Sequence, residues 1–148
     1  MVHQEAFNAI IIDDDPINNL LTTKIIQLDF PKAEVITFLD PQAGLDYIYA
    51  LPDQNKTLLL LDINMPKLSG WDVLEILDGY PDSIKGRLDI YMFTSSISLE
   101  DKQKAKDNPL VLGFIEKPLS SLQLEIYFKK DVDWKDIQRN SAVSYMNH

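Results

Sequence analysis

The sequence predicts an α/β protein built on one doubly wound, five-stranded parallel sheet. Three observations carry that expectation. Five short runs rich in Ile, Leu and Val recur along the chain: "AIIID" at 9–13, "EVITF" at 34–38, "TLLLLD" at 57–62, "LDIYMFT" at 88–94 and "LVLGFI" at 110–115. They are apolar throughout rather than alternating, as strands must be when their sheet is covered on both faces. Longer segments with helical spacing separate them, and alternation of strand and helix implies parallel pairing.

The first run ends in acids, and Asp15 and Pro16 suit a helix cap and its first position. Ile17, Leu20, Leu21, Ile25 and Leu28 then recur at steps of three and four, the spacing of an amphipathic helix. "EVITF" supplies the second strand. In the third unit Leu58, Leu59, Leu60 and Leu61 make a fully buried strand with Asp62 at its tip. Pro66 and Gly70 shape the following loop, letting backbone approach whatever binds there. Val73, Leu74 and Leu77 repeat the helical spacing after Gly70.

"GYPDSIKGR" at 79–87 reads as a loop into the fourth run, and "DNP" at 107–109 breaks the fourth helix before the fifth run. Leu122, Leu124, Ile126 and Phe128 mark a final helix by position more than by spacing. One domain is expected over residues 1–130. Residues 131–148 are expected to extend the last helix into a frayed tail, with no separate output domain.

A chain of 148 residues is long enough to bury a core without metals or disulfides. It contains no cysteine, which removes disulfide frameworks, thiolate metal sites and cysteine nucleophiles together. The N-terminus has no signal-peptide pattern, and no run approaches the roughly 20 apolar residues of a membrane span. A cytoplasmic protein with no membrane contact is expected. The net charge of −9 disfavours direct nucleic-acid binding, which depends on Lys and Arg releasing counterions.

In an open parallel sheet the ligand site lies beyond the carboxyl ends of the strands. Here the first run ends in Asp13, Asp14 and Asp15, the third in Asp62, and the fourth in Thr94, Ser95 and Ser96. The fifth runs into Glu116, Lys117 and Pro118. Singly, each has an ordinary explanation: an Asp as cap or turn former, a Thr as strand residue, a Lys as solvated charge. At one sheet edge they converge on one cleft. Carboxylates brought together raise one another's proton affinity unless a cation intervenes. Oxygen-only ligands, with no Cys and no His near the strand ends, point to Mg²⁺, which keeps waters and accepts phosphate oxygens. Asp62 can then serve as a nucleophile toward phosphorus, with the metal, Lys117 and Thr94 stabilising the transferred group.

The segments "IIIDDDP", "LLLLDINMPKLSGWD", "YMFTSS" and "GFIEKPL" resemble the receiver domain of two-component response regulators over roughly residues 7–128. The resemblance implies a stand-alone, CheY-like protein with a (βα)5 flavodoxin-like fold and strand order 2-1-3-4-5. It implies that Asp62 is the phosphoacceptor and that Mg²⁺ is held by Asp13, Asp14, Asp62 and the Asn64 carbonyl. Thr94 would bind the phosphoryl group, Lys117 would pair with it, and Pro118 suggests the family's cis peptide. Asp15 is expected to cap a helix. Thr94 and Phe114 would form a switch that remodels the surface of the fourth helix and fifth strand. A sensor histidine kinase or histidine phosphotransfer protein would be the donor, and an unidentified protein the target. The residues at Asn64 and Ser96 would help set the lifetime of the phosphate.

Two other classes remain open from the residues. A small aspartate-nucleophile phosphatase of the haloacid dehalogenase type would use Asp13 as nucleophile and Asp15 as acid. It would need a later acidic pair, for which Asp131 and Asp133 are poor candidates, and it leaves "LLLLDINMPKLSG" unexplained. A receiver used as a phosphate-independent scaffold would keep the site residues without employing them.

Overall fold

A computed structural model describes residues 2–52, 56–95 and 97–127. Its sheet has five strands, β1 (Asn8–Ile12), β2 (Glu34–Phe38), β3 (Thr57–Asp62), β4 (Leu88–Thr94) and β5 (Val111–Glu116). All pair in parallel in the order β2-β1-β3-β4-β5, as expected. The helices are α1 (Pro16–Asp29), α2 (Pro41–Tyr49), α3 (Gly70–Asp78), α4 (Asp82–Lys85), α5 (Leu99–Asp107) and α6 (Ser121–Tyr127).

Central β3 is buried at every position, because helices cover both faces of the sheet. Its leucines alternate between two cores. Leu58 and Leu60 join Ile11, Ile26, Phe30, Phe93 and Leu124 on the side of α1 and α6. Leu59 and Leu61 join Ile12, Leu45, Val73, Leu77 and Phe114 on the side of α2, α3 and α5. Each buried leucine contributes about 2 kcal/mol by removal of apolar surface from water, so β3 anchors the residue at its tip.

Polar caps fix the helix starts nearest that tip. Asp15 accepts the N–H groups of Ile17 and Asn18. Ser69 and Asp72 cap α3 reciprocally, each side chain accepting the other's backbone N–H. Gly70 touches the end of β3 so closely that a Cβ there would stand 2.5 Å from the Asp62 carbonyl oxygen.

Three expectations need correction or bounding. Most of the apolar stripe of α1 does not face the core: Ile17, Leu20, Leu21 and Leu28 are 51–71% exposed, and of the stripe only half-buried Ile25 packs against a core cluster. Asn19, Thr22, Ile26 and Asp29 are buried instead, on the opposite side of the helix. "GYPDSIKGR" is not all loop, since Asp82–Lys85 forms one helical turn between Pro81 and Gly86. Of the final helix, Ser121–Tyr127 is described; Phe128 and the expected extension and tail lie outside the described residues.

Candidate functional site

The cleft at the carboxyl edge of the sheet gathers side chains from the ends of four strands. Asp13 follows β1, and its N–H donates to the Phe38 carbonyl at 3.0 Å, carrying the β1–β2 pairing one residue further. Asp62 ends β3 opposite Phe93 of β4, which puts Thr94 one residue beyond it. Lys117 follows β5, and its N–H donates to the Thr94 carbonyl at 2.7 Å. The Lys117–Pro118 peptide bond is cis.

Asp13 is 0% exposed, Asp62 5% and Thr94 2%, whereas Asp14 stands at the exposed rim. Asp13, Asp14 and Asp62 each offer a carboxylate oxygen, all within 4.8 Å of one another. A hard divalent cation of the Mg²⁺ kind fits such an oxygen-only set. Lys117 reaches the same point: its Nζ lies 2.6 Å from Asp13 Oδ2 and 3.5 Å from Asp62 Oδ1, and 5.4 Å from the centre of the Phe93 ring.

Burial pushes the Asp62 carboxyl up to about 6 from an ordinary 3.8. The Lys117 ammonium opposes that rise, Asp13 adds to it, the backbone N–H of Asn64 donated to the carboxylate opposes it, and Asp14 adds a little more. A bound cation would remove the repulsion and leave Asp62 ionised at neutral pH.

The other expected residues fall as follows. Asn64 is exposed beside the cleft. Asp15 caps α1 with its Oδ1, so it is occupied away from Asp13, where a dehalogenase-type phosphatase would need it as an acid. Phe114 is only 6% exposed, its ring already turned into the core, with Lys102 Nζ 5.5 Å above it. Ser96, Asp131 and Asp133 lie outside the described residues. The spacing argument passed over Asn18 and Asn19. The Asn18 amide donates to Asp13 Oδ2 at 2.7 Å and the Asn19 amide to the Asp13 carbonyl at 3.0 Å.

This arrangement has relatives. The sequence model of the response regulator receiver domain matches residues 9–129. The chain belongs to that receiver family. A response regulator receiver protein from Dyadobacter fermentans is similar in structure, with a TM-score of 0.78, 26% identity, and coverage of 84% of this chain and 96% of that one. A two component response regulator from Cytophaga hutchinsonii superposes with a TM-score of 0.73 at 26% identity, covering 86% of this receiver and 97% of its own chain. Stress response regulator protein 1 of Meyerozyma guilliermondii is 28% identical over 101 residues, which is 68% of this chain. The match spans 44% of that protein's length. The fold is therefore the flavodoxin-like receiver fold, and the domain is of the kind used in two-component signalling. Among the described residues no helix is long and apolar enough to cross a membrane.

Proposed function

We propose that this receiver is a phosphoacceptor. Asp62 takes a phosphoryl group from a sensor histidine kinase or a histidine phosphotransfer protein, and the phosphorylated form presents an altered surface to a protein target. The observation that carries the proposal is the convergence of three carboxylates and one ammonium at the tip of β3, with Asp62 and Asp13 buried and Asp14 at the exposed rim.

Asp13, Asp14 and Asp62, with the Asn64 carbonyl, would hold Mg²⁺, which supplies charge neutralisation for the approaching phosphate. An Asp62 oxygen attacks phosphorus, a new O–P bond forms, and the bond to the donor nitrogen breaks with its electron pair leaving on the imidazole. Lys117 moves from Asp13 to a phosphoryl oxygen, and the Thr94 hydroxyl donates to another. Because Phe114 is already inward, phosphorylation strengthens a packing arrangement that exists rather than creating it, a shift of population through Thr94. The apolar stripe of α1 starts at Ile17, four residues from Asp13, and gives the donor protein a contact beside the cleft.

The test is intact mass after incubation with Mg²⁺ and acetyl phosphate. One added phosphoryl group is expected on wild type, none on Asp62→Asn, and none in EDTA. An adduct that survives Asp62→Asn but disappears in Asp13→Asn would replace this reading with the phosphatase. No adduct on folded protein from acetyl phosphate or from any histidine donor would favour a scaffold.

A further inference from the structure

We infer that Asn18 is a positioning residue for the cation site, holding the Asp13 carboxylate in place when Lys117 leaves it for the phosphoryl group. The inference rests on the phosphoacceptor reading and adds a residue to it.

An ionised carboxylate has about four lone-pair positions. Asp13 uses three of them on protein groups among the described residues. Its Oδ1 accepts the Asp15 N–H at 2.9 Å. Its Oδ2 accepts the Asn18 amide at 2.7 Å and pairs with Lys117 Nζ at 2.6 Å. This leaves one position on Oδ1 for the cation or one of its waters. Once Lys117 turns to the phosphoryl group, Asn18 becomes the sole donor to Oδ2 among the described residues. A fully buried carboxylate oxygen that lost both partners would be free to rotate away from the cation, at the cost of an unsatisfied anion.

The chemistry of the amide suits this role. It is neutral, so it orients Asp13 without cancelling the negative charge that attracts a divalent ion; a lysine here would do the opposite. It is also fixed at its base. Asn18 lies in the first turn of α1, its own N–H donates to the Asp15 Oδ1 cap at 3.3 Å, and the neighbouring Asn19 amide holds the Asp13 main chain from the same turn. One helical turn thus secures both the backbone and the carboxylate of Asp13.

The experiment titrates metal-free protein with Mg²⁺ alone in a calorimeter at pH 7.5, then follows phosphorylation by acetyl phosphate as a function of Mg²⁺. Asn18→Ala is expected to bind Mg²⁺ about tenfold more weakly, the usual loss when a group behind a metal ligand is removed. Its phosphorylation should fall at limiting Mg²⁺ and recover as Mg²⁺ is raised. Asn18→Ser, whose side chain is too short to reach Asp13, serves as the second variant with the same expected loss. Circular dichroism checks that each is folded. Mg²⁺ affinity within twofold of wild type in a folded variant would overturn the inference, and so would a phosphorylation defect that high Mg²⁺ does not relieve. Wild type that neither binds Mg²⁺ nor accepts phosphate is a different result, and it would bring down the phosphoacceptor reading itself.

Discussion

The Lys117 ammonium sits 2.6 Å from Asp13 Oδ2 and farther from Asp62, at 3.5 Å. It therefore neutralises the most deeply buried of the three carboxylates. Lys117→Met removes that charge while keeping most of the side chain's bulk. The three acids then face one another uncompensated, so Mg²⁺ should bind more tightly to the variant at pH 7.5. Phosphorylation should nevertheless slow by roughly a hundredfold, because in the proposed reaction Lys117 stabilises the transferred phosphate. Calorimetry and a mass time course read the two effects separately; a variant that lost both together would place Lys117 in metal binding instead.

Asp62 makes folding stability depend on pH. Its folded value of about 6 lies above the ordinary 3.8. Between these values the folded protein keeps a proton that the unfolded chain has lost. The stabilising contribution is complete below the lower value and is lost as pH rises through the upper one. At neutral pH without metal, the fold carries a costly buried anion. Asp62→Asn should therefore stabilise the metal-free protein at pH 7.5, by on the order of 1 kcal/mol, and do little at pH 4. Urea unfolding in EDTA at the two pH values checks this, and an equal gain at both would refute the assignment of the effect to ionisation. At ten times its Kd, Mg²⁺ should add about 1.4 kcal/mol to wild type.

The sheet was legible because burial leaves strands little choice. A central parallel strand must be apolar on both sides, so Leu58 through Leu61 announced β3 and located Asp62 at its tip. Helix α1 was not legible to the same argument. Periodicity showed that Ile17, Leu21 and Leu28 share a face, but it holds no information about which way that face turns. Here Thr22 and Ile26 are buried, Ile26 packs with strand residues in one core, and Asn19 reaches back to Asp13. Periodicity is equally silent on Asn18, because a spacing argument of this kind counts only the apolar residues. The signal that would have found it is its place in the first turn, directly after the acids. The single turn of α4 has too few residues to show any period.

The outward stripe of α1 predicts a separation between two kinds of phosphate donor. Leu21 is 51% exposed, and glutamate is a good helix former, so Leu21→Glu should change stability by no more than about 0.5 kcal/mol. Acetyl phosphate needs only the cleft and should phosphorylate the variant at nearly the wild-type rate. A phosphorylated histidine phosphotransfer protein needs a surface, and transfer from it should slow by about tenfold, since a charge is then buried against an apolar partner. Equal slowing with both donors would mean that the substitution had disturbed the cleft, and no slowing would remove α1 from the donor interface.

Gly70 tests how tightly Asp62 is held. Its N–H donates to the Ile63 carbonyl at 2.8 Å, and the absent side chain lets α3 begin directly against β3. In Gly70→Ala the new methyl would meet the Asp62 carbonyl oxygen at 2.5 Å and the Ile63 Cα at 3.0 Å, both backbone atoms that cannot rotate aside. Either α3 or the tip of β3 has to shift. A loss of roughly 1–3 kcal/mol is expected from overpacking of this kind, despite alanine's better helix propensity. Because the clash falls on Asp62 itself, its carboxylate should also shift relative to Asp13 and Asp14, so Mg²⁺ affinity should drop along with stability. Urea unfolding and Mg²⁺ calorimetry on the same preparation decide the matter. A destabilised variant with wild-type Mg²⁺ affinity would show that α3 yields and the tip of β3 stays.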